Sequence, residues 1–208
     1  METTAPASGR THLRIEPSIL YFGTPVVLLS TLNEDRSPNL APMSSAWALG
    51  YTLLLGLGRG GKTVENLRRE GECVVNLPDA TLWRHVERLA PLTGRDPVPE
   101  AKAHQFRFEP RKFEAAALTP DPSELVAAPR VRECPLQLEA TVSAVRPIGP
   151  DGGSVAVEVE VVRVHAAPEV VVEGTNHVDP AAWTPLLYVF RHYVAARDPL
   201  GKTFRAEI

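Results

Sequence analysis

Cysteine is nearly missing from this 208-residue chain: there are two, Cys73 and Cys134, far apart in sequence. That excludes a disulfide framework and a thiolate zinc site, and the expected setting is reducing and cytoplasmic. A strong charge of either sign is also missing. Lys and Arg number 22 against 25 Asp and Glu, a net charge of -3, so neither nucleic acid nor an anionic membrane is the expected partner. No apolar run approaches the length that spans a bilayer. The opening "METTAPASGRTH" has no apolar core and does not read as a secretory signal. Residues 1–17 are expected to form a flexible tail and 18–208 a single domain. Internal repeats, low-complexity segments and a G-x-G-x-x-G dinucleotide fingerprint are absent too.

What is present is a core. Hydrophobic residues make up 44% of the chain, enough for one globular domain. "TPVVLLSTL" (24–32), the turn cluster "NEDRSP" (33–38) and "NLAPMSSAWAL" (39–49) read as a strand, a reversal and a return strand. "YTLLLGLG" (51–58) is a buried strand, and "KTVENLRREG" (62–71) is a short helix with Val64 and Leu67 on one side and Gly71 as its stop. "ECVVNLP" (72–78) is a strand, and "TLWRHVERLA" (81–90) is a helix with Leu82, Val86 and Leu89 on one face. Residues 91–135 hold eight prolines and are expected to wrap the surface as ordered loop, with short helical pieces such as "PSELV" (122–126). "PLQLEATVSAVRP" (135–147) and "SVAVEVEVVRVH" (154–165) alternate as strands around the turn "PDGG", with a phase slip at Val161–Val162 that predicts a bulge. "PLLYVFRHYV" (185–194) reads as a last strand.

The stretch "GLGRGGKT" (56–63) has the form G-x-x-x-x-G-K-[ST] of a triphosphatase phosphate loop. Its surroundings disagree. Such a loop belongs to a parallel α/β sheet with repeated strand–helix alternation, and it needs an Asp-ended strand for magnesium. Here strands reverse through short turns, and Asn76 and Pro78 interrupt the nearest candidate strand. The chemistry of the stretch remains: glycines allow close approach, helix N–H groups and the helix dipole favour an anion, and Arg59, Lys62 and Thr63 add charge and a hydroxyl. The competing reading is a solvated turn before a surface helix.

"SPNLAPMSSAW" (37–47) is the second informative stretch. Pro38 and Pro42 disfavour a regular ladder, leaving the backbone of Leu40, Ala41 and Met43 to meet a flat polar ligand, and Ser44 and Ser45 supply hydroxyls. The plainer alternative is an irregular edge strand.

Together these segments resemble the flavin reductase-like family of FMN-binding split-barrel proteins. The resemblance rests on N-[IVL]-A-P-x-S at 39–44, on R-x-x-K-T-x-x-N-[IL] at 59–67 leading to "VVN", and on "ECPLQLEATV" and "PLLYVFRHYV". It implies a mainly β fold, a Greek-key split β-barrel with flanking helices, usually a homodimer with FMN near the interface. It implies that Ser44, Ser45, Arg59, Lys62 and Thr63 take phosphate or ribityl. Asn39, Ala41, Pro42 and Met43 would lie along the ring edge, with Asn66 as a further contact. The expected activity is transfer of electrons from NADH or NADPH through FMN to flavin or another small acceptor; a non-catalytic FMN-binding protein is the alternative. The family's G-D-H segment, whose His sits near the nicotinamide, has no counterpart in "GPDGGSVAVEVE" (149–160), so His192 in "FRHYV" is the candidate catalytic residue, reaching the flavin across a dimer. His12, His85, His104, His165 and His177 show no metal-ligand spacing and are expected to be surface or structural. Cys73 and Cys134 are expected to be buried apolar residues, and Trp47 a core residue.

Overall fold

The computed structural model describes residues 12–196, 199–201 and 203. Residues 1–11 of the expected tail lie outside the described residues; residues 12–17 are exposed and without regular structure. The first strands are β1 (Phe22–Pro25), β2 (Val27–Leu32), β3 (Pro38–Met43), β4 (Ala46–Leu49) and β5 (Thr52–Gly58). Helix α1 (Lys62–Glu70), β6 (Glu72–Leu77) and α2 (Trp83–Leu89) follow. The proline-rich segment carries only short pieces: β7 (Leu92–Thr93), β8 (Arg107–Phe108), α3 (Lys112–Ala116), β9 (Pro120–Asp121) and β10 (Arg130–Val131). The chain closes with β11 (Leu136–Ile148), β12 (Ser154–Ala166), β13 (Leu186–Val189) and β14 (His192–Ala195).

Seven strands form one antiparallel sheet in the order β3-β2-β6-β11-β12-β5-β4. Its two edge strands, β3 and β4, are joined by Ser44–Ser45 alone. A two-residue link between opposite edges forces the sheet to curl on itself. The edges are not paired there, so the barrel is split along a seam at Ser44–Ser45.

Period-2 alternation fills the interior. Val27, Leu29, Leu53, Leu55, Val75, Val155, Val157 and Val159 point inward, and Val64 and Leu67 of α1 plug one end. Each such side chain contributes about 1.5–3 kcal/mol by leaving water. Leu28 and Leu40 face the other way and meet Val86, Leu89 and Phe113 of α2 and α3, so β2 is buried on both faces. Gly71 ends α1 in the left-handed conformation (φ 72°). Val162 is skipped in the β11–β12 register, which is the bulge the phase slip predicts; a second skip falls at Ser143. Cys73 and Cys134 are buried free thiols, and burial pushes Cys73 up to about 12.

Three expectations are corrected. "PLLYVFRHYV" is a hairpin, because Phe190 (φ 42°) and Arg191 (φ 70°) turn the chain through the left-handed region between β13 and β14. "PSELV" is not helical: Glu124, Leu125 and Val126 donate their backbone N–H groups to the Glu139 carboxylate instead. Trp47 is not in the core but 55% exposed on β4.

Candidate functional site

A cavity of about 480 Å³ opens at the seam. Pro42, Met43, Ser44 and Ser45 form one side and Gly56–Gly58 of β5 another. Phe106, Tyr21, Tyr188 and Tyr193 supply aromatic walls. The tyrosines pack on one another, with centroids 5.4 Å apart for Tyr21–Tyr188 and 5.8 Å for Tyr188–Tyr193. Tyr21 Oη lies 3.0 Å from Ser45 Oγ. The Gly56 N–H donates to the Ser45 carbonyl at 2.7 Å, and a Cβ on Gly56 would stand 2.8 Å from Ser45 Cβ, so only glycine permits this approach.

The remaining expected site residues are placed differently. Asn39 and Lys62 line a second cavity of about 310 Å³, together with Gly94, Arg95 and Phe108. Ala41 is half-buried on β3, which pairs with β2 over its whole length despite both prolines. It is an edge strand, where a missing N–H is tolerated. Thr63 and Asn66 are buried with Asn39 in a polar network. Asn39 Nδ2 donates to Thr31 and Thr63 hydroxyls, each at 3.2 Å. Asn66 Nδ2 donates to Thr31 at 3.1 Å and to Asn33 Oδ1 at 3.0 Å. Arg59 faces a third cavity. His192 is exposed, with Nδ1 3.0 Å from the Phe190 carbonyl, and lines a separate cavity beside Trp83. Only the Tyr193 ring is shared between that cavity and the seam.

Sequence reasoning missed Lys112 and the tyrosines. Lys112 is 4% exposed, and its Nζ donates to Asn39 Oδ1 at 3.0 Å. Burial brings its pKa down to about 8. Nothing in "PRKFEAA" marks that lysine as internal. The other histidines are structural where they are bonded: His85 Nδ1 is 2.8 Å from the Ala116 carbonyl and His165 Nε2 is 2.6 Å from Glu139. Among the described residues, no group of three or more His, Cys, Asp or Glu is placed to hold a metal.

This donor set suits a flat aromatic body with an anionic tail. Aromatic walls and a proline edge flank the space, and two half-buried hydroxyls lie at the seam. The first helical turn of α1 has no side-chain cap at Gly61. The model of the flavin reductase like domain matches residues 19–197. The chain belongs to the flavin reductase-like family. Protein YdfE of Bacillus subtilis (strain 168) is 43% identical over 199 residues, covering 95% of this chain and 96% of its own. Flavoredoxin of Desulfovibrio vulgaris (Miyazaki F) superposes with a TM-score of 0.73 at 21% identity, covering 98% of this chain and 99% of that one. A split-barrel structure from Shewanella frigidimarina NCIMB 400, described as a candidate flavin reductase, superposes with a TM-score of 0.71 at 19% identity, covering 88% and 87%. The flavin reductase-like chain thus has the split-barrel fold, and its family is one of flavin-linked oxidoreduction.

Proposed function

We propose that the seam cavity binds FMN and that the protein is an FMN-dependent oxidoreductase, drawing electrons from NADH or NADPH and passing them to flavin or another small acceptor. The observation that carries this reading is the seam itself: the edge of β3, the Ser44–Ser45 link and Gly56 meet at one aromatic-walled cavity. The ring lies along Ala41, Pro42 and Met43, with Asn39 behind them. Ser44 and Ser45 hold the ribityl chain. Lys62 and Thr63 gather the phosphate at the start of α1, where helix N–H groups and a cationic side chain favour it, while Arg59, which the resemblance would add to them, opens to the third cavity. Asn66 positions Thr31, which shares the amide of Asn39, so the network steadies the phosphate end. FMN, when bound, supplies the redox chemistry; the chain supplies orientation and exclusion of water. Lys62 Nζ is 2.5 Å from Glu65 Oε1 and exchanges that partner for phosphate.

The reading extends to a homodimer. Trp47, Leu49 and Tyr51 are exposed on β4 and the turn after it, at an edge of the sheet beside the seam. Within one chain His192 opens to a different cavity, so a catalytic role for it rests on the second copy.

The first test is the visible spectrum of the purified protein before and after FMN addition and desalting. Retained flavin that bleaches anaerobically with NADH or NADPH supports the proposal. Retained flavin that neither donor reduces points to binding without catalysis. No FMN binding in a direct titration overturns it. Lys62→Ala is expected to weaken FMN binding at least tenfold, the loss of one charge-assisted contact.

A further inference from the structure

Gly58 and Arg59 are chain neighbours, yet they face different spaces. Gly58 lines the seam cavity. Arg59 lines a cavity of about 370 Å³ with Gly61, Glu65, Arg68, Arg69 and Arg95. Positions 65, 68 and 69 share one face of α1 by their i, i+3, i+4 spacing. Four arginines and one carboxylate therefore line this pocket.

That carboxylate is already taken. Glu65 is bridged by Lys62 and by Arg95, the hydrogen bond from Lys62 holds it below the ordinary carboxylate range, and Arg95 remains its partner when Lys62 turns to the FMN phosphate. Arg69 spends its donors on Glu70 at 2.8 Å, the Leu32 carbonyl at 2.6 Å and Asn66 Oδ1 at 3.1 Å. Arg59 and Arg68 are exposed and make no side-chain hydrogen bond or ion pair among the described residues. The pocket thus keeps two planar, bidentate-capable cations with no anion to meet them.

The balance of charge says which nucleotide fits. A site that reads a free ribose 2′-hydroxyl uses an available carboxylate, whereas a site for a 2′-phosphate uses arginine. Here the carboxylate is engaged and two arginines are free. We propose that this pocket takes the 2′-phosphate of a nicotinamide nucleotide, so that NADPH rather than NADH is the donor. The identity of the ligand rests on the flavin reading of the seam; the arginine site itself does not.

Calorimetric titration of the purified protein with 2′,5′-ADP and with 5′-AMP tests it. The 2′-phosphorylated nucleotide is expected to bind at least tenfold more tightly, by an amount that shrinks as salt rises. Arg68→Ala lies outside the proposed flavin site, and it is expected to lose most of that preference while melting and retaining FMN like the parent. Equal affinity for the two nucleotides overturns the proposal, as does a preference that survives in the Arg59→Ala/Arg68→Ala double variant. Preferential 2′,5′-ADP binding by a protein that never binds FMN would support the arginine site and sink the flavin reading. FMN reduction at equal kcat/KM by NADH and NADPH, with no preference for 2′,5′-ADP, would do the reverse.

Discussion

Lys112 is the side chain whose chemistry the fold alters most. Its folded pKa, about 8, lies below the ordinary lysine value of 10.5. The unfolded chain therefore binds more protons between those values, and this group makes stability rise with pH across that window, with a slope of at most about 1.4 kcal/mol per pH unit. Below pH 8 the full cost of burying the charge is present. Urea unfolding from pH 7 to 10.5 should show the rise, and Lys112→Met should remove it. Gly56 gives a second expectation. Gly56→Ala should drive Ser45 out of place and weaken FMN binding with little change in the rest of the barrel, read by FMN titration and circular dichroism. At this scale the sequence pointed to the polar residues of β3 and α1, but not to their burial. Asn39, Thr63 and Asn66 are polar yet buried, linked by hydrogen bonds to one another or through Thr31. A consequence is that Thr63→Ala should cost stability as well as FMN affinity, since the Asn39 amide loses an acceptor.

Strands and helices were the most readable level. Alternating apolar residues marked β11 and β12, and Val64, Leu67 and Gly71 marked α1 and its end. The misses have local causes. A two-residue turn through left-handed φ normally advertises itself with Gly or Asn, and Phe190–Arg191 carries neither. The 122–128 segment is shaped by Glu139, a residue on a distant strand that alternation assigns no special role. Glu139 is fully buried and accepts from three successive backbone N–H groups and from His165. Burial alone would raise its pKa, but these donors outweigh burial and hold it below the ordinary glutamate value of 4.5. Its contribution is therefore complete above that value and is lost as pH falls through the folded one. Glu139→Ala should cost about 3 kcal/mol in urea unfolding at pH 7 and should free residues 122–128 to proteolysis.

For the whole molecule, pairing order was beyond periodicity: the hairpin β11–β12 inserts between β6 and β5, elements distant from it in the chain. The resemblance, not the alternation, supplied the barrel. Trp47 shows the limit of composition, since a tryptophan expected inside stands on the outer edge with Leu49 and Tyr51. If that edge is the interface of the proposed homodimer, light scattering should return twice the chain mass, and Trp47→Glu should shift the protein to monomer and loosen FMN. A mass of one chain at micromolar concentration would reject the dimer. The two buried thiols bear on how any of this is measured. Both sulfurs are shielded by the core and resist ionisation, with Cys73 held near 12. Native protein should therefore be silent to maleimide. A single cysteine introduced on the surface becomes a unique attachment point, so a spectroscopic label can be placed at will without first stripping the natural ones.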